Sequence, residues 1–241
     1  MNLDASRTVR EFATEMPNAT RIFEKLGIDY CCGGGKSLHD ACAQARIPVA
    51  DVLRDLENCG TAQVSSSTPD FAQARLAELI DHIVSNHHAY VRREIPRIQQ
   101  LANKVVAVHG KNHPELARIQ GTFQALAAEL TSHMMKEEHV LFPYIAELEA
   151  GVAQGKPLDA PPFGAVSNPV HMMEMEHESA GASLREMRSA SAEYALPQEA
   201  CFSYTTLYSA LQDFEADLHQ HIHLENNILF PRAIDLERTA I

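Results

Sequence analysis

The stretch SHMMKEEHVLFP, residues 132–143, has a helical pattern, yet it sets His133 and Glu137 four positions apart among residues that should face a core. Eighty-eight residues later the chain writes QHIHLENNILFP at 220–231, where His221, Glu225, Leu229, Phe230 and Pro231 repeat the intervals of His133, Glu137, Leu141, Phe142 and Pro143. One H-x-x-x-E is no better than a helical ion pair, and a lone histidine on an apolar edge is more often a hydrogen-bonded core residue than a ligand. Two copies in register call for a common cause. Residues i and i+4 lie on one helix face about 6 Å apart, so each pair can offer a nitrogen and an oxygen to the same small volume. His88 precedes His133 by 45 residues and His177 precedes His221 by 44, so the chain reads as a helix pair used twice. Pairing the halves around a pseudo-twofold brings together four histidines and two carboxylates. A carboxylate has two oxygens and can bridge two cations, which predicts a dinuclear site. A closed structural zinc site needs four ligands and usually takes cysteines, whereas imidazole with carboxylate suits octahedral-type ions, iron foremost, with manganese and zinc as alternatives.

The rest of the chain supplies a frame for such a site. Residues 8–58 divide into short helical pieces punctuated by Pro17, Gly27, Gly33-Gly34-Gly35 and Pro48. NCGTAQVSSSTPD, residues 58–70, has no apolar periodicity and reads as a linker closing with Thr68 as N-cap and Pro69 at the first helical position. Helical patterns then cover about 70–106, 115–149, 169–192 and 199–236, with a Gly/Pro-rich connection between the second and third. No alternating strand pattern appears, so the fold class is all-α: a four-helix bundle over 70–241, joined by a linker at 61–69 to a small helical N-terminal domain at 1–60.

Composition excludes several classes of function. The balance of 32 acidic against 20 basic residues, net −12, offers no Lys/Arg stripe for nucleic acid. No segment approaches the roughly 18 apolar residues of a membrane span, and the N-terminus lacks a signal pattern, so a cytoplasmic protein with no membrane partner is expected. Five cysteines suit a reducing compartment. Cys31 and Cys32 precede three glycines and Ser37, a helix N-cap, near a helix start whose dipole would lower a thiol pKa; they are the candidate reactive thiols, against a packing role in a glycine turn. CCGGGKS is no phosphate loop, because Tyr30 stands where its first glycine is required and no strand precedes it. Cys42, Cys59 and Cys201 read as buried packing, as do Met134, Met135, Met172, Met173 and Met175. His219 and His223 sit about 200° round the helix from His221 and are expected away from the centre, and His87 and His139, similarly off-phase, are expected to face solvent. Pro143 and Pro231 each delete an intrahelical bond and predict a bend below the site.

With DYCCGG at 29–34, SHMMKEE at 132–138, EHESAG at 176–181 and HIHLENNILFPRA at 221–233, nearly the whole chain resembles the repair-of-iron-centres family, iron–sulfur cluster repair proteins with a hemerythrin-like bundle. The resemblance implies a non-haem, oxo-bridged centre of two iron ions. It implies a ligand set of five histidines and two bridging carboxylates, which falls on His88, His109, His133, His177 and His221 with Glu137 and Glu225. His109 enters through the resemblance alone, with His113 as its local competitor; Glu174, in an E-x-x-H with His177, is a further possible ligand. The implied function is repair of iron–sulfur proteins damaged by nitric oxide or oxidants, through iron donation or NO handling, with the thiols assisting delivery. Reversible binding or sensing of dioxygen, as in hemerythrins, and reduction of NO or peroxide at a di-iron centre are the alternatives. A homodimer is compatible with either.

Overall fold

Every regular element is helical among the described residues (3–16, 18–60, 71–156 and 161–240, the side chains of 59 and 60 excepted) of this computed structural model. The expected linker, with Thr68 and Pro69, lies outside them. Four short helices build the N-terminal module: α1 (Val9–Glu15), α2 (Ala19–Leu26), α3 (Leu38–Ala45) and α4 (Val49–Gly60). Local chemistry sets their ends. Thr8 and Glu11 form a capping box on α1, Gly27 closes α2 with φ +65°, and the Ser37 hydroxyl accepts from the Asp40 N–H to start α3. Phe12, Phe23, Tyr30, Leu38 and Leu56 fill a core of the module's own.

The bundle is four long helical rods, three of them interrupted by a π-helical turn. The first joins α5 (Leu76–His82) to α6 (Ala89–His109) through Ile83–His88; the second joins α7 (Glu115–Lys136) to α8 (Phe142–Gln154) through Glu137–Leu141. The third is α9 (Ser167–Ala190), and the fourth joins α10 (Phe202–Leu224) to α11 (Phe230–Ala240) through Glu225–Leu229. Rod α6 packs on α7 and α10, and α7 packs on α9. The rods run several residues past the expected 106, 149 and 236, because their terminal turns carry less apolar periodicity than their middles.

The π turns explain the Leu-Phe-Pro repeat better than a bend alone. The Phe142 N–H donates to the Glu137 carbonyl and the Phe230 N–H to the Glu225 carbonyl, five residues back. The extra residue per turn is taken up just where Pro143 and Pro231, having no N–H, would break the regular ladder. Both turns begin on the glutamates that the duplicated motif singled out.

Two apolar clusters fill the bundle. One includes Val91, Met134, Ala180, Leu184, Leu218 and Ile222; the other includes Ile83, Leu141, Phe142, Met173, Leu229 and Phe230. His88, His133, Glu137, His177, His221 and Glu225 fall between the two on their rods, as one buried polar layer.

Candidate metal centre

Burying six polar side chains in one layer is unfavourable unless something satisfies them. Glu137 and Glu225 are fully buried, and none of the four histidines is more than 2% exposed. Their arrangement is ordered. The Nε2 atoms of His88 and His221 lie 3.0 Å apart, and those of His133 and His177 also 3.0 Å apart. Each carboxylate spans both pairs. Glu137 Oε2 lies 3.4 Å from His88 Nε2 and its Oε1 3.3 Å from His133 Nε2. Glu225 Oε1 lies 3.0 Å from His221 Nε2 and its Oε2 3.1 Å from His177 Nε2. Two sets of four converging donors result, His88–His221 and His133–His177, with both glutamates common to the two.

The outward nitrogens decide what the inward ones can be. His88 Nδ1 lies 2.6 Å from Glu138 Oε1, His133 Nδ1 2.8 Å from Glu176 Oε2, and His177 Nδ1 2.8 Å from Asn226 Oδ1. These oxygens only accept, so each Nδ1 carries the proton and each Nε2 turns a lone pair inward. Lone pairs 3.0 Å apart repel unless a proton or a cation lies between them. Among the described residues both Glu137 oxygens and Glu225 Oε2 have no hydrogen-bond donor, so the layer is rich in acceptors and poor in donors. A six-coordinate ion with nitrogen bonds of about 2.1 Å sets cis nitrogens roughly 3.0 Å apart. The donor set therefore fits metal.

Charge gives the same answer. Burial opposes charge on His88 and His133, but the two carboxylates outweigh it and push the imidazoles up to about 10 and about 9. Burial would likewise raise the Glu225 carboxyl, yet His221, His177 and His88 hold it well below the usual range. The layer recruits positive charge, from protons where no metal supplies it.

The supporting residues follow a rule that the sequence left unread. Glu138 follows Glu137, Glu176 precedes His177, and Asn226 follows Glu225, so each sits one place from a layer residue and anchors a histidine on a neighbouring rod. Continuing round the bundle, His87 beside His88 should anchor His221. Instead the His87 ring stacks on His221 at 5.7 Å, its Nδ1 lies 3.0 Å from Asp217, and His221 Nδ1 has no partner among the described residues. His87 is thus buried, contrary to its expected solvent-facing place, because a π turn rotates it inward. His139 is exposed as expected; His223 is buried against Tyr30 and Asn227.

His109 does not join the layer. It ends the 21-residue α6, 21 positions beyond His88 and so about 30 Å along the rod from it, beside Cys201 Sγ at 3.2 Å. His113 lies at that far end too, bonded to Glu115 and Glu199, and Glu174 is in neither donor set. The expected packing roles divide. Met134, Met173 and Cys42 are buried, whereas Met135, Met172, Met175 and Cys201 are exposed, and Cys59 lies outside the described side chains.

The thiols also depart from expectation. Cys31 and Cys32 lie not at a helix start but in a turn held by Asp29, whose Oδ1 accepts the N–H groups of Cys31, Cys32 and Gly33 at 3.2, 3.0 and 2.9 Å. The neighbouring Cys32, burial and the Asp29 charge raise the Cys31 thiol well above its ordinary value, opposite to a dipole-activated thiolate. This turn seats on the bundle. Cys32 Sγ lies 3.5 Å from the His177 carbonyl, Asn227 donates to the Tyr30 carbonyl at 2.8 Å, and Gln220 donates to the Tyr30 hydroxyl at 2.8 Å.

A helical bundle with two histidine sets sharing two carboxylates, capped by a thiol-bearing helical module, defines a cation-binding class of protein. Comparison with known proteins narrows it. Residues 79–233 match the Hemerythrin HHE cation binding domain, and residues 5–59 match a domain of unknown function (DUF542). The chain is 35% identical over 231 residues to a probable iron–sulfur cluster repair protein of Haemophilus influenzae, covering 96% of this chain and 98% of that one. It is 34% identical over 224 residues to the iron–sulfur cluster repair protein YtfE of Escherichia coli O157:H7, covering 93% and 94%. The chain belongs to the hemerythrin HHE family and, within it, to the family of iron–sulfur cluster repair proteins. No helix of the described residues is long and apolar enough to cross a membrane.

Proposed function

We propose that the chain binds two iron ions and uses them to help restore iron–sulfur clusters damaged by nitric oxide or oxidants. The observation that carries this reading is the shared carboxylate pair: Glu137 and Glu225 each present one oxygen to each histidine pair, an arrangement one ion cannot use fully. His88 and His221 would hold one ion, His133 and His177 the other, with both glutamates bridging. Iron bound there supplies exchangeable ferrous ion and a centre able to take up NO. The chain's own residues do the rest. Glu138, Glu176 and Asn226 fix three imidazoles with Nε2 inward, and the two apolar clusters keep water from the layer. Repair is what the relatives' names state, and a reducing cytoplasm would keep Cys31 and Cys32 as free thiols beside the bundle. In this reading residues 1–60 form the thiol-bearing domain that assists delivery and those from 70 onward the iron-bearing domain.

The test mixes iron-loaded protein with a cluster enzyme inactivated by NO. Recovery of activity beyond that given by equal free ferrous ion is the expected result. Recovery no better than free iron would refute the reading.

A further inference from the structure

A second group of converging donors stands outside the buried layer. One carboxylate oxygen of Asp29 and the Sγ atoms of Cys31 and Cys32 all lie within 4.8 Å of one another. The two sulfurs are 3.9 Å apart, and Cys31 Sγ is 3.4 Å from Asp29 Oδ1. Two thiolates on one tetrahedral ion, with bonds of about 2.3 Å, sit roughly 3.8 Å apart. The observed spacing already matches.

We propose that Asp29, Cys31 and Cys32 form a separate, exchangeable site for one divalent d-block cation, ferrous iron in the working protein. The role as a station for iron in transit rests on the repair function proposed above; the site itself rests on geometry. The turn is built for it. Asp29 Oδ1 is held by three backbone N–H groups, and Oδ2 lies 3.9 Å from the exposed Arg185. A Cβ at Gly33 would meet the Asp29 carboxylate at 3.1–3.2 Å, and one at Gly34 would meet the Tyr30 carbonyl at 2.6 Å, so the two glycines let the chain wrap this tightly. Packing alone accounts poorly for the pair, because Cys31 is buried while Cys32 is half-buried beside a half-exposed carboxylate.

Three protein ligands leave a fourth position, which faces a cleft of about 430 Å³ between the module and the bundle, lined by Glu24, Arg185 and Glu215 among others. Two soft sulfurs with one carboxylate select a borderline ion over magnesium or calcium. Binding is balanced as one divalent cation in and two thiol protons out to solvent. With only three protein ligands, and one of them half exposed, the ion is free to leave. Cys32 lies against the His177 carbonyl, so the site adjoins a turn that bears a candidate ligand of the buried layer.

Cobalt(II) is the probe. The full chain, its bundle loaded with iron, is titrated with Co(II) without oxygen while thiolate-to-cobalt absorption is followed. One further equivalent with that band is expected. Cys31→Ser/Cys32→Ser should abolish it, and Asp29→Asn, which keeps an oxygen for the turn, should weaken it about tenfold. Cys42→Ser and Cys201→Ser should leave it unchanged, and bundle iron should stay constant throughout. Absence of the band from the unsubstituted protein, or its survival in the double variant, would overturn the site. So would loss of bundle iron in the double variant, because the thiols would then belong to the buried centre. Repair of an NO-treated enzyme is scored in the same samples; failure there refutes the function and leaves cobalt binding to decide the site.

Discussion

Replacing Glu176 with Ala should weaken one metal ion and spare the other. Glu176 Oε2 accepts the Nδ1–H of His133, while its Oε1 pairs with Lys136. His133 is 2% exposed, so removing the carboxylate leaves a buried N–H without a partner and the ring free to turn. An unsatisfied buried donor costs about 1–3 kcal/mol. Loss of such an anchor typically lowers metal affinity about 10–100-fold, roughly 1.4–2.7 kcal/mol, so the two routes agree. The Lys136–Glu176 pair is 43% and 32% exposed, so its own loss contributes at most about 1 kcal/mol. Lys136→Ala should therefore leave affinity almost unchanged and serves as control. The assay is competition against a chromophoric chelator on the iron-loaded chain. In the unsubstituted protein the ion held by His133–His177, both of whose Nδ1 atoms are anchored, should be the tighter of the two proposed; the looser should be that at His88–His221, where His221 Nδ1 has no partner among the described residues. The substitution should bring the tighter ion down toward the looser. Equal loss of both ions, or a change under threefold, would refute the anchoring argument.

Glu137→Gln or Glu225→Gln should lose both ions, since each carboxylate serves both sets; metal analysis returning one retained ion would argue against bridging. His109→Ala should leave iron content at its original level, and a loss comparable to that from His133→Ala would place His109 in the centre after all. In metal-free protein, His88 and His133 titrate near 10 and 9, above the ordinary 6.5. Their protonation therefore stabilises the metal-free fold fully below about pH 6.5, and that contribution fades as pH rises through 9–10. The gap in Tm between loaded and metal-free protein should widen from pH 6.5 to 10, and a gap that narrowed would contradict the sign.

The layer was legible because its chemistry is written in short spacings. His133–Glu137 and His221–Glu225 share a helix face by periodicity alone, and their duplication located His88 and His177 on partner rods. His109 entered by resemblance without a spacing argument, and the length of α6 separates it from the rest. Two of the three π turns were visible only as prolines, and the one at Ile83–His88 has none, so its effect on helix phase left no signal; that is why His87 was assigned to solvent although it lies against His221. Glu138, Glu176 and Asn226 had a signal in their adjacency to layer residues. An acidic residue beside a ligand is common on any helix, however, and only the packing of rods shows which imidazole it reaches. The thiol turn misled for a related reason. Ser37 does start α3, but Asp29, four residues before the first of the three glycines, governs the local field.

The duplication makes the donor sets alike, and what distinguishes the two halves lies in contacts no local pattern encodes. The N-terminal module meets the bundle through Cys32 on the His177 carbonyl, through Tyr30 on Asn227, and through Tyr30 on Gln220. Gln220 precedes His221, and Asn227 follows the Asn226 that anchors His177. All three contacts therefore fall on turns that carry or support a candidate ligand, across separations of 145–197 residues. The corresponding positions of the other half, around His88 and His133, have Glu138 and Glu176 tied to Arg92 and Lys136 instead. Anything bound at the thiol turn thus bears on the His177–His221 side of the layer, through backbone and amide contacts. The half formed by His88 and His133 is held by charge pairs within the bundle. The two like halves of the layer thus differ in what holds them, and only the His177–His221 half faces the module through these contacts.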